Sequence, residues 1–251
     1  MKDYIPAKDL LKGRIILVTG AGDGIGKTAS LSFAEHGATV ILVGKTQKKL
    51  EAVYDSIEQQ GLAQPAFFVL DFAKAGEPDY ASLAEAVFQE FGRLDGLLNN
   101  AGILGTLTPL GMYDDQLWEK VMQVNLRAPY WLTRACLNLL NKAEDASIVF
   151  TTSDVARSPK AYWGAYAMAG AATENMAKTW AEELESNTAI RVNTIDPGPV
   201  RTFFRANAFP GEDPKAAPLA ETIMSTYLYL MGPDSRGKTG RAFSAQPGEQ
   251  D

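Results

Sequence analysis

Two hydrophobic patterns alternate along the chain. Short β-branched and leucine-rich runs near 15–18, 39–43, 66–70, 96–98, 147–151, 190–195 and 241–244 read as strands. Longer amphipathic stretches near 24–36, 46–60, 79–91, 114–141, 163–186 and 218–231 read as helices between them. Strand and helix in regular alternation imply a parallel sheet with right-handed crossovers and helices on both faces, an α/β architecture of the doubly wound kind with about seven strands. Ligands of such sheets bind beyond the C-terminal strand ends, at the switch point. Four segments fall there: the glycine-rich loop after the first strand, Asp71-Phe72, Asn100 and Ser153.

The first of these carries the most chemistry. Ile15-Ile16-Leu17-Val18 runs into Thr19-Gly20-Ala21-Gly22-Asp23-Gly24-Ile25-Gly26, so a strand hands the chain to a glycine loop that opens a helix. Glycines let the backbone approach a pyrophosphate, and the first N–H groups of the helix, with its dipole, point at the anion. The spacing is Thr-Gly-x-x-x-Gly-x-Gly. It is not the G-x-G-x-x-G fingerprint, in which Ile25 or Lys27 would have to be glycine.

Composition narrows the alternatives. No low-complexity tract, repeat or shift of composition breaks the chain, so all 251 residues are expected to form one domain. A net charge of −6 without a basic cluster argues against nucleic acid, whose phosphates demand a positive face. No apolar run reaches the length of a membrane span, and Met1-Lys2-Asp3-Tyr4 leads into no signal-peptide core, so no membrane partner and a cytoplasmic location are expected. With Cys136 and His36 as the sole cysteine and histidine, neither a metal site nor a Ser-His-Asp or Cys-His hydrolase is expected. His36 precedes Gly37 where the first helix should end, which suits a C-terminal cap.

Asn99-Asn100-Ala101-Gly102 ends another apolar run, Asn125 sits in a helical stretch, Ser153 follows the strand Ile148-Val149-Phe150-Thr151, and Tyr166 comes thirteen residues after that serine. In this order and spacing, with the glycine loop, the chain resembles the short-chain dehydrogenase/reductase family from Leu11 to about Gly248. Trp163-Gly164-Ala165-Tyr166, Ala208-Phe209-Pro210, Met231-Gly232-Pro233-Asp234 and Ala245-Gln246-Pro247-Gly248 bring it closer to one type of bacterial oxidoreductase. The resemblance implies a single Rossmann-type domain and hydride transfer between a nicotinamide and a carbonyl or secondary alcohol. It implies that Tyr166 is the acid or base, that Ser153 holds the substrate oxygen, and that Asn125 holds a water of the proton relay. It places Gly20, Asp23, Gly24, Ile25 and Gly26 around the cofactor, Asp71 and Phe72 beside the adenine, and Asn100 with Ala101 and Gly102 beneath the adenosine half. Pro197, Gly198, Val200 and Thr202 fall at the nicotinamide carboxamide, where Tyr166 also reaches the cofactor. The family's two long helices further imply a homodimer or homotetramer, and the small residues between Ala161 and Ala172 suit such a face.

One family residue is missing. Tyr-x-x-x-Lys reads Tyr166-Ala167-Met168-Ala169-Gly170. Moving a phenol pKa from about 10 to about 7 takes roughly 4 kcal/mol, and one cation at about 4 Å supplies that at an effective dielectric of about 20. Oxidation needs the tyrosinate and suffers most; reduction starts from the neutral phenol. Lys178 lies about 18 Å along the helix, which leaves Lys160 in the preceding loop as the nearest substitute. Packing alone would be served as well by alanine, so Gly170 has no explanation at this level.

The second strand ends Val43-Gly44-Lys45-Thr46 without the carboxylate that binds an NAD ribose, and Lys45 suits a 2′-phosphate, which favours NADP(H) over NAD(H). Asp23 counts the other way. For the substrate, Phe203, Phe204 and Phe209 suggest an apolar wall, and Arg201 and Arg205 an anionic end. The expected function is an NADP(H)-dependent oxidoreductase; the alternative is a catalytically impaired nucleotide-binding protein that acts as sensor or partner.

Overall fold

Valine, isoleucine and leucine on both faces of a strand can be buried only if helices cover both sides of the sheet. In the computed structural model, which describes residues 4–246, they are. The central strands β1 (Ile15–Thr19), β4 (Gly96–Asn99) and β6 (Ile190–Asp196) are buried at every position. With β2 (Thr39–Gly44), β3 (Ala66–Val69), β5 (Ala146–Thr151) and β7 (Ala242–Ser244) they form one parallel sheet in the order β3-β2-β1-β4-β5-β6-β7. The order reverses between β1 and β4, and a crevice opens there. Met1 to Asp3 and residues 247–251, including Pro247-Gly248 of the last motif, lie outside the described residues.

Alternate residues divide the core. Ile16, Val18 and Leu42 pack with Phe33 of α1 (Gly24–Glu35), Leu50 and Val53 of α2 (Gln47–Gln59) and Tyr227 of α8 (Met224–Met231). Leu17, Ile41 and Val43 face the opposite layer, with Leu83 of α3 (Glu77–Phe91), Leu132 of α5 (Ala128–Leu140) and Ala177 of α6 (Gly164–Glu185). No helix among the described residues is long and apolar enough to cross a membrane.

Two helical expectations are refined. The stretch 114–141 is α4 (Asp115–Met122), a π turn (Gln123–Arg127) and α5. Pro129 lacks the N–H that would bond the Asn125 carbonyl, so the Ala128 N–H reaches back five residues to Gln123 and the carbonyl is released. The segment after β6 contains α7 (Phe203–Ala208), which periodicity did not predict; Thr202 caps it, its Oγ1 accepting from the Arg205 N–H at 3.2 Å.

The small residues of α6 are used within the chain. Ala165, Ala169, Ala177 and Ala181 are buried, a Cβ on Gly164 would come 2.9 Å from Leu110, and Gly170 faces Ala156. These residues are spent on close approach to the protein's own loops, while Ala161 and Ala171 stay exposed on the surface.

At the opposite end of the sheet from the crevice, the buried Asp145 carboxylate joins Arg14 (3.1 Å), Arg236 (3.2 Å) and Arg191. Loss of solvent and the nearby Arg14 and Arg236 push the Arg191 guanidinium down to about 10. Three cations from distant segments thus converge on one anion.

Candidate active site

The crevice is a cleft of about 2460 Å³ at the C-terminal strand ends, and it is lined by every expected site residue except Gly26. Gly26 serves from behind: a Cβ there would meet the Gly20 carbonyl at 2.3 Å and Asn100 Nδ2 at 2.8 Å, so glycine alone lets α1 pack on the end of β1. Gly20 itself has φ +69° and Gly24 +48°, turning the loop so that the start of α1 faces the cleft.

On the adenosine side, Asp23 caps α1, accepting from the Gly24 N–H at 2.8 Å, and its other oxygen takes Lys49 Nζ at 2.5 Å. The Lys49 ammonium is the main cause that holds the Asp23 carboxyl below the usual carboxylate range. This removes the objection that sequence raised against a 2′-phosphate, for the anion in the loop comes with its own cation. Lys45 lines the cleft at the tip of β2 and, among the described residues, takes part in no ion pair. Beyond β3, Asp71 accepts from the Ala73 N–H, and Phe72 is buried and stacked on Tyr80. Little of the Phe72 ring therefore remains for an adenine.

Thr19 and Asn100 lace three strand ends together. The Thr19 hydroxyl accepts from the Asn100 and Ala101 N–H groups at 2.9 and 3.0 Å, and Asn100 Oδ1 accepts from Thr151 Oγ1 at 3.3 Å. Sequence reading singled out Asn100 but not its partners. A Cβ on Gly102 would lie 3.6 Å from Asn125 Oδ1. The Asn125 carboxamide bridges to Ile103, accepting from its N–H at 2.9 Å and donating to its carbonyl at 2.8 Å. The carbonyl that Pro129 releases accepts from Thr173 Oγ1 at 3.1 Å.

On the reacting side, Ser153 follows β5, and Tyr166 projects from the first turn of α6 with Ser153 in hydrogen-bonding reach. Burial pushes the Tyr166 phenol up; Ser153 pulls it down; Asp196 and Asp154 push it further up. Among the described residues, no cation stands with these main influences. Lys160 is held by Asp154 at 2.6 Å and does not serve as the missing lysine. At Gly170 the turn Asp154–Ala156 crosses α6, and a Cβ at 170 would stand 3.1 Å from the Ala156 methyl, so any side chain there requires that turn to give by a few tenths of an ångström.

Behind Ser153 lies a network that no motif announced. Arg157 donates to Glu174 Oε1 at 2.8 Å and to Asp196 Oδ2 at 2.9 Å, and Thr152 donates to the same Glu174 oxygen. Asp196 accepts from the Gly198 N–H, while Gln246 donates to the Pro197 and Pro199 carbonyls at 2.8 and 2.6 Å. The serine loop, α6 and the Pro197–Thr202 loop are thereby tied together, with Val200 buried beneath them. The Thr202 hydroxyl is committed to capping α7. Arg201 and Arg205 do not form the expected anionic end. Arg205 is paired with Glu212 at 2.7 Å twice over, and Arg201 donates to the Ala217 and Lys215 carbonyls.

Residues 14–213 match the family model described as short chain dehydrogenase. The chain is 47% identical over 247 residues to the uncharacterized oxidoreductase YciK of Escherichia coli K12, covering 98% of this chain and 97% of that protein. A short chain dehydrogenase structure from Pseudomonas syringae superposes with a TM-score of 0.96 at 50% identity, over 97% of this chain and 99% of that one. Another, from Escherichia coli and complexed with NADPH, gives 0.93 at 48% identity over 96% and 100%. With the parallel sheet, the glycine loop and the Ser153–Tyr166 pair all in register, the chain is an oxidoreductase of the short-chain dehydrogenase family, similar to the YciK type.

Proposed function

We propose that this protein is an NADP(H)-dependent carbonyl reductase, working better in the reducing direction than in the oxidising one. The observation that carries the direction is the Tyr166 phenol, raised by burial with no cation acting on it. The residues fit the cofactor. Gly20, Gly24 and Ile25 leave room for a pyrophosphate at the start of α1, Lys45 faces a 2′-phosphate, and the Lys49 ammonium cancels Asp23. The NADPH-bound relative supports the same choice. Bound there, the dihydronicotinamide supplies hydride. This chain's part is to orient the carbonyl through Ser153, to break the Tyr166 O–H bond and pass that proton to the substrate oxygen, and to exclude water with Trp163 and Phe204. The aromatic pair Tyr130 and Trp131 on the outside of α5 supports a homodimer or homotetramer as part of this reading.

The pH dependence tests it. The acid form of Tyr166 is present below its pKa, and that pKa is raised. Reduction is therefore expected to be flat in log kcat/KM from about pH 6 to 9. Oxidation needs the phenolate, whose fraction grows about tenfold per pH unit below the pKa, so it should climb across the same range. A plateau in oxidation near neutral pH would mean that a cation reaches Tyr166 after all.

Cofactor choice is tested by calorimetry. NADPH is expected to bind tighter than NADH, and Lys45→Ala to remove most of the difference, about 1 kcal/mol or more for a charge-assisted contact. Equal affinities in the parent protein would sink the assignment.

The second reading, a nucleotide-binding protein without turnover, draws on the same uncompensated phenol. NADPH oxidation with a panel of aldehydes, ketones and quinones separates the two, with Tyr166→Phe as the control.

A further inference from the structure

Two segments build the reacting side of the cleft, 153–166 and 200–216. Together they contribute four charged side chains to its lining: Asp154, Lys160, Arg205 and Glu212. All four are spent on each other. Lys160 pairs with Asp154 at 2.6 Å, and both Arg205 Nε and Nη2 meet Glu212 at 2.7 Å, a fork-to-fork pair. The Arg205 guanidinium also lies flat on Phe209, 3.7 Å from the ring centre, so one of its faces is covered too. Asp196, at the floor, is held by Arg157.

What remains is aromatic. Tyr166 is flanked by Phe204 at 5.3 Å and Trp163 at 5.8 Å, and Trp163 continues to Phe209 at 5.7 Å between ring centres. These rings surround the Tyr166 side chain. At the mouth, Leu107 and Phe203 line the cleft with their side chains exposed, Phe203 by 74%. A charged substrate group seated against these two segments would leave water and find no unpaired counter-charge on them, whereas a flat apolar one would bury ring surface on three aromatic side chains.

Building on the reductase reading above, we propose that the substrate is an uncharged carbonyl compound carrying an aromatic or similarly flat apolar body, seated on Trp163, Phe204 and Phe209. Specificity then comes as much from the absence of a free cation as from ring contacts.

A matched pair of ligands tests this by binding alone. Calorimetry on the protein saturated with NADP+ compares 2-acetylnaphthalene with 6-acetyl-2-naphthoate, which share a ring system and differ in charge. The neutral ketone is expected to bind at least tenfold tighter. Glu212→Gln, which frees Arg205, should narrow that ratio, and Phe204→Ala with Phe209→Ala should weaken the neutral ketone by tenfold or more. Equal or tighter binding of the carboxylate overturns the proposal, as does binding of neither ligand. Turnover of the neutral ketone with NADPH is read separately. Selective binding without turnover would overturn the reductase reading and leave the substrate class standing.

Discussion

The double variant Ala156→Gly with Gly170→Lys is expected to oxidise secondary alcohols about three powers of ten faster than the parent protein. A lysine ammonium about 4 Å from the Tyr166 oxygen would favour the phenolate by roughly 4 kcal/mol at an effective dielectric of about 20, and that free energy corresponds to the stated factor in rate. Two substitutions are needed because the Ala156 methyl would stand 3.1 Å from a new Cβ at position 170. Gly170→Lys alone should gain less, as the turn that carries Asp154 and leads to Arg157 must shift to admit it. Carbonyl reduction should gain less in both variants, because it begins from the neutral phenol that the buried site already favours. Steady-state rates in both directions, with NADPH affinity as the check on folding, measure the effect. If the double variant binds NADPH and shows no gain in either direction, then more than the lysine is lost and the non-catalytic reading takes the lead.

The largest expected loss of stability is at the other end of the sheet. Asp145→Ala removes the one anion shared by Arg14, Arg191 and Arg236, two of which are nearly without solvent. Breaking a buried pair from one side costs about 3–5 kcal/mol, since the charge left behind loses its counter-charge and has little water to replace it, although Arg14 keeps the Asp95 and Asp145 carbonyls and Arg191 that of Gly232. Here two guanidiniums would be left facing each other, in a place where Arg191 is already pushed down to about 10 by desolvation and its neighbours. A domain has only about 5–15 kcal/mol to lose. Urea denaturation should show a midpoint lowered accordingly. Arg236→Ala, at a side chain 65% exposed, should cost no more than about 1 kcal/mol. Similar losses in the two variants would mean that the cluster stabilises through packing and not through charge.

Much of the architecture was written locally. Strand runs such as Ile15–Val18 and Val40–Val43 are apolar on both faces, so their periodicity alone demanded helices on both sides and hence a parallel sheet. The glycine loop was legible for the same reason: Gly20 needs φ +69°, and Gly26 must clear the Gly20 carbonyl six residues before it. Even the π turn carried a local sign that went unread, Pro129 four residues after Asn125. Ser153 and Tyr166 were found through the family resemblance, which their order and thirteen-residue spacing carry.

Which charge meets which counter-charge was decided only in three dimensions. Arg205 looked like an anion receptor until α7 set it against Glu212, and Asp23 looked hostile to a phosphate until α2 laid Lys49 across it. Gly170 looked like a simple loss, yet it is the residue that admits Ala156. Arg157 gave no signal, although it joins the serine loop to α6 and β6. Sequence determined what each segment can form, because hydrophobic period and backbone freedom are properties of neighbours along the chain. The pairing of charges and the room for one methyl group depend on segments brought together by the sheet, and only the tertiary structure could decide them.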